Sequence, residues 1–201
     1  MKRVRWLFAV VILFAGGVFA QDNPKFEITG DYSLFRNNPS LGSVWNSQNL
    51  NGGGGDITYF FTSHYGIKAD FQGYNNSTEC PSSTSNFTGC ASGNLFTYLF
   101  GPVVKYRVGK FEPFGEVLFG GGHSNFYTNA CNNNSGLCGG SPTTTAFTMA
   151  IGGGLDVPVT HHIAVRVFDV DYMPTRFTDN FLSGNSTQNN FRFQTGVQFR
   201  F

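Results

Sequence analysis

The residue pair with the most readable chemistry is His123-Ser124, since a serine beside a histidine is the raw material of a nucleophile and its general base. Its spacing argues against that role. Neighbours in an extended segment point to opposite faces, so these two side chains cannot meet within hydrogen-bond reach. Glu112 and Glu116 fall on one face of an extended segment and form a candidate proton-active pair. His64 and His161-His162 fall in short polar links with no carboxylate or cysteine at ligand spacing, and are expected to be solvated. Four cysteines form two close pairs, Cys80 with Cys90 and Cys131 with Cys138, each in an Asn-rich polar stretch. Local disulfides are the natural reading, although the sequence alone allows three connectivities. Metal binding is disfavoured, because neither pair has CxxC spacing and no histidine lies in either stretch. Nothing in the chain calls for a cofactor, and none is expected.

The elements that position these residues are legible from the last twelve. Phe191, Phe193, Thr195, Val197, Phe199 and Phe201 share one face of an extended segment, and Arg192, Gln194, Gly196, Gln198 and Arg200 share the other. Seven earlier segments carry similar period-two character, at about 25–36, 54–62, 64–74, 94–106, 111–124, 145–157 and 162–172. Long polar stretches at about 37–53, 75–93, 125–144 and 173–189 alternate with short links at Thr62-Ser63, Arg107 to Lys110 and Pro158 to His161. Long and short connections therefore belong at opposite ends of the fold. Eight strands with this rhythm, each roughly 9 to 13 residues long, predict an all-β, eight-stranded antiparallel transmembrane barrel.

Composition supports a lipid-facing wall. Charged residues make up 12% of the chain, Phe numbers 23 and Gly 26, whereas soluble domains carry about 25% charged residues. Residues 1–20 begin Met-Lys-Arg-Val-Arg, continue through an apolar run from Trp6 to Val18 and end in small residues at Ala20, the pattern of a cleaved signal peptide. Residues 21–201 would then form the barrel domain. Cleavage removes three of the 13 basic residues, leaving 10 against 12 acidic ones and a net charge of −2. No basic field remains to recruit nucleic acid.

Alternation assigns the faces. Glu27, Asp31, Asp56, Lys68, Asp70, Lys105, Glu112, Glu116, Asp156, Arg166, Arg192 and Arg200 are expected inside, where an eight-stranded barrel has room for side chains but little more. Ile163, Val165 and Val167 share parity with Asp169 and Asp171, so a bulge or parity switch is expected near Phe168. The Gly52 to Gly55 run and the Gly120 to Gly122 and Gly152 to Gly154 triplets are expected where strands curve sharply or backbones approach closely.

With these segments in place, the chain resembles the small outer-membrane β-barrel superfamily that includes the OmpA transmembrane domain, OmpX and the opacity-type proteins. The closing strand carries the resemblance, together with Val165-Arg-Val-Phe-Asp-Val-Asp-Tyr172. It implies residence in the bacterial outer membrane, contact with its lipids and lipopolysaccharide, and recognition of Val197, Phe199 and Phe201 by the barrel-assembly machinery. Full-length OmpA continues beyond its barrel, so anchoring to the cell wall is not implied here. The outer-membrane lipid A deacylases carry His and Ser two apart on one face, a pattern that His123 and Ser124 lack. The reading that follows is a non-enzymatic surface barrel presenting four long loops, with a narrow channel for small solutes as the alternative and a lipid A-modifying enzyme third.

Overall fold

A computed structural model describes residues 24–37, 48–79, 91–107, 109–124, 145–179 and 184–201. The signal-peptide segment 1–20 and all four cysteines lie outside the described residues. Eight strands follow in order: β1 (Phe26–Asn37), β2 (Gln48–Phe60), β3 (Tyr65–Glu79), β4 (Ala91–Lys105), β5 (Glu112–Ser124), β6 (Thr145–Pro158), β7 (Ile163–Asp179) and β8 (Gly184–Arg200). Each pairs antiparallel with its neighbours, and β8 closes on β1 from Glu27↔Arg200 to Arg36↔Phe191. Closure satisfies the backbone of every strand on both sides, which a lipid environment requires.

Outward positions are apolar over a height that matches a membrane. Phe191, Phe193, Val197 and Phe199 are all exposed on β8. The ten residue steps from Phe191 to Phe201 cover about 34 Å of strand, or roughly 26 Å along the axis of a barrel whose strands tilt by about 40°. Aromatic rings crowd both limits. Toward the long connections, the Tyr32 and Tyr172 hydroxyls donate to Asn51 and Asn189 at 3.0 and 2.6 Å, which marks where the wall turns polar.

Four strand limits differ from the sequence reading by five residues or more. β2 begins at Gln48 instead of 54, β3 continues to Glu79 and β7 to Asp179, and β8 begins at Gly184 instead of 190. Pairing of β7 with β8 continues through Thr178↔Asn185 and Asp179↔Gly184, so most of the expected 173–189 loop is a hairpin. These extensions are mostly polar, with Leu50 and Met173 as isolated inward apolar residues, so no sustained apolar alternation reveals them. They are held by main-chain hydrogen bonds, which do not depend on side-chain pattern.

The three short connections gather at the other end. Phe61 N–H donates to Tyr65 O and Val159 N–H to Ile163 O, and in both turns the threonine hydroxyl, Thr62 or Thr160, accepts two following amide protons. His64 and His162 thus occupy equivalent places in two copies of one turn. In the third link Gly109 takes φ 63°, a left-handed conformation that glycine adopts without strain.

The expected parity switch is present. In β7 Arg166 is buried, Val167 and Phe168 are both exposed, and Asp169 is buried again. The β7–β8 register shifts between Arg166 and Asp169, and the β6–β7 register shifts between Leu155 and Asp156. One extra residue re-aims the strand so that both aspartates enter the lumen.

Candidate functional site

Among the described residues the lumen is the one place where charged side chains converge in numbers, and it is stratified. At the turn end, Lys105 Nζ donates to Glu27 at 2.5 Å and to Asp156 at 2.8 Å. Arg200 forks onto both oxygens of Glu112, and Arg107 Nη2 reaches Glu27 at 3.2 Å. Two aromatic rings line this level. The Arg107 guanidinium lies 4.6 Å from the Phe60 ring centre, and that of Arg166 lies 4.7 Å from Phe114. Negative ring faces give the cations a second partner where water is excluded.

Deeper in the barrel, Arg166 bridges Asp156 at 3.1 Å and Asp56 at 2.5 Å, while Lys68 donates to Glu116 at 2.7 Å. Above them, Arg192 joins Asp70 at 2.6 Å and Asp171 at 2.8 Å. The register explains why cations are needed here. It sets Asp56 directly opposite Asp70 across β2–β3, both pointing inward, and only interposed positive charge makes such a pair tolerable. Gln72 and Gln194 donate to Asp31 at 3.1 and 3.3 Å and close the polar section.

Every one of the twelve inner residues named from alternation is buried except Asp31, which is partly so. Asp169, Asp171, Arg107, Gln72, Gln194 and Gln198 also belong to the network. The parity switch was the available signal for the two aspartates, and the inner face of the last strand was the signal for Gln194 and Gln198. Arg107 lies in a short link, where alternation carries no information. Carboxylate oxygens of Glu116, Asp169 and Asp171 come within 4.8 Å of one another. Lys68 stands 3.5 Å from Asp169, Arg166 3.7 Å from Asp169 and Arg192 2.7 Å from Asp171, so the protein's own cations counter this cluster. Glu112 and Glu116 do not meet as a pair. Glu112 is held by Arg200 and Glu116 by Lys68, because four residues along a strand separate them by about 13 Å.

Toward the long connections the filling changes character. Phe35, Leu50, Tyr74, Leu99, Leu118, Ala150 and Met173 form a buried apolar cluster across seven strands, with Leu95 against it. The Tyr74 hydroxyl and Ser33 hydroxyl are 2.9 Å apart within it. The sequence predicts a lumen filled by charged and polar side chains, and the structure corrects this: an apolar plug caps the ion pairs. Alternation puts Phe35, Leu99, Leu118 and Met173 on the inner face, so their parity is readable, but alternation does not say how much of the lumen they fill.

The remaining candidates stay apart. His123 faces outward, with Nδ1 3.1 Å from Thr145 Oγ1, while Ser124 faces inward. The His64 ring packs at a tilt against Tyr106 with ring centres 5.3 Å apart, and His162 Nδ1 lies 3.3 Å from Arg200 O, both at the turn end.

A closed eight-stranded barrel with an apolar exterior, aromatic limits and a charged interior is the architecture of a transmembrane β-barrel. The family described as "Outer membrane protein beta-barrel domain" matches residues 6–201, and the chain belongs to it, which places the protein in the bacterial outer membrane. Neisserial surface protein A is similar in structure, with a TM-score of 0.60 at 14% identity over 88% of this chain and 97% of that one. Ail of Yersinia pestis gives 0.54 at 15% identity over 89% and 99%, and outer membrane protein W of E. coli gives 0.51 at 13% over 90% and 100%. At these identities the likeness shows the fold. Comparison with curated protein sequences returns no match.

Proposed function

We propose that this outer-membrane protein is a non-enzymatic surface barrel whose filled wall serves as a rigid mount for its loop segments and for the β7–β8 hairpin. The carrying observation is the lumen. Arg166, Arg192, Lys68 and Asp70 are buried in ion pairs, and Leu99, Leu118 and Met173 above them are fully buried as well. A rigid mount lowers the ordering cost when a loop engages a partner, and disulfides at Cys80 and Cys90 and at Cys131 and Cys138 would lower it further. One structure of Ail is a complex with the heparin analogue sucrose octasulfate. An external ligand held by the loops is the corresponding reading for this chain. Export through residues 1–20 and contact with lipopolysaccharide belong to the same proposal.

Planar-bilayer recording of the purified protein is the test. Stratified ion pairs beneath an apolar cap predict no stable single-channel conductance, and a reproducible conductance would replace this reading with the narrow solute channel. The opposed faces of His123 and Ser124 disfavour the lipid-modifying alternative.

The outward face of β8 is proposed as the signal for assembly. Phe201 N–H donates to Phe26 O at 2.8 Å at the closing seam, while its ring is only partly covered. Phe201→Asn keeps the backbone bond and removes the apolar group. Cell fractionation is expected to show the variant exported but reduced severalfold in the outer membrane, and wild-type levels there would remove the inference.

A further inference from the structure

We propose that the turn end of the barrel is a binding surface for anionic phospholipid headgroups. Exposed basic groups occupy each of its connections. Lys25 precedes β1, His64 lies in the first turn, Lys110 and the half-buried Arg107 in the second, and His161 and His162 in the third. Among the described residues no acidic side chain at this end is exposed, because Glu27, Glu112 and Asp156 all turn into the lumen. The main-chain oxygen of Phe201 is held by the Lys25 and Phe26 amides at 2.9 and 3.1 Å.

Apolar neighbours decide the class of partner. Phe61 and Tyr65 bracket His64, and Tyr106 and Phe111 bracket Arg107 and Lys110; all four rings are more than half exposed. Rings of this kind sit at the headgroup level of a bilayer. His64, Arg107 and Lys110 each adjoin one of these rings in the chain and Lys25 adjoins the exposed Phe26, which sets them at the depth of lipid phosphates. A soluble acidic polymer would need basic groups set apart from the lipid-immersed belt, and here the two are interleaved on the first two turns. The assignment extends to the turn end a binding role separate from the loops.

Arg107 also donates to Ser63 O, to Pro24 O and to Glu27, so its replacement would disturb the barrel. Lys25 and Lys110 are exposed and suit the test. The full chain is reconstituted in phosphatidylcholine bilayers, and its association with spin-labelled phosphatidylglycerol is compared with that of spin-labelled phosphatidylcholine. A preference of about fivefold for the anionic lipid is expected, since a basic residue near a bilayer contributes attraction on this scale, and it should weaken with added salt. Lys25→Gln/Lys110→Gln should abolish the preference while keeping the heat-modifiable gel shift, and Lys25→Arg/Lys110→Arg should retain it. Arg36→Gln, at the opposite end, should also retain it. The proposal is overturned if the double Gln variant keeps the wild-type preference, or if Arg36→Gln loses it. It is equally overturned if inorganic phosphate cancels the preference where chloride of matched ionic strength does not, which would mark a site for free phosphate.

Discussion

Arg166→Leu is expected to destabilise the barrel by about 3–5 kcal/mol, the scale for breaking a buried ion pair from one side. Arg166 bonds Asp156 and Asp56 and lies 3.7 Å from Asp169, all of them removed from water. Removing the guanidinium leaves Lys68 as the partner of Asp56 and Asp169 and Lys105 as that of Asp156, and the under-compensated carboxylates lose far more than a packing contact. Leucine also withdraws the cation from the Phe114 ring. Refolding into lipid vesicles across a urea series, read by the gel shift between folded and unfolded forms, gives the midpoint. A companion variant, Arg166→Leu with Asp56→Asn and Asp156→Asn, separates charge from shape. It should recover most of the loss, because removing both sides of a buried pair costs much less than removing one. If both variants fall equally, the loss comes from packing and the ion-pair account fails.

How much was readable beforehand follows from which physics each feature obeys. Faces of the membrane-crossing strands were legible because lipid and lumen impose opposite polarity on alternate residues: Phe193 and Arg192 could not exchange places. The same contrast revealed the switch near Phe168, where two aspartates would otherwise meet lipid. Beyond the membrane that contrast disappears. Past Met173 the sequence of the β7–β8 hairpin shows no apolar alternation, and main-chain pairing carries it to Asp179 and Gly184. Partners within the lumen were not legible either. Which carboxylate Lys68 would meet depends on strand stagger: Glu116 is 48 residues away in sequence and two strands away around the barrel. The apolar plug was half legible, since the parity of Leu118 was clear while its convergence with Met173 and Phe35 depends on that same stagger.

These two kinds of filling divide the work in a way that charge alone would not. Ion pairs in the lower lumen fix strand register, because each cation reaches residues on different strands: Arg192 on β8 to Asp70 on β3 and Asp171 on β7. The apolar cap seals that network from water at the loop end. Apart from the Tyr74 hydroxyl, which meets Ser33, its buried groups need no polar partners. Stability of the wall then depends little on what the loops contain.

Gly120→Val is expected to eliminate the folded barrel. A Cβ at Gly120 would stand 1.9 Å from Tyr98 O, 2.9 Å from Tyr98 C and 3.0 Å from Leu99 Cα. All three are backbone atoms, so no rotamer change can make room, and β4 would have to withdraw from β5 along the Leu99↔Gly120 pairing. A barrel cannot yield locally at one seam without exposing strand edges to lipid, where each unsatisfied backbone group costs several kcal/mol. Gly30 provides the contrast, since a Cβ there would meet nothing within 4 Å and would project outward. Gly30→Ala should refold with the wild-type midpoint to within about 0.5 kcal/mol, the usual range for surface changes. Gly120→Val should show no heat-modifiable species at any lipid ratio. Gly54, whose Cβ would lie 2.0 Å from Phe71 O, should behave like Gly120 when replaced by valine, because it too faces backbone across a paired strand. Equal refolding of Gly30→Ala and Gly120→Val would mean that close backbone approach does not limit closure, and that the glycine runs serve some other purpose.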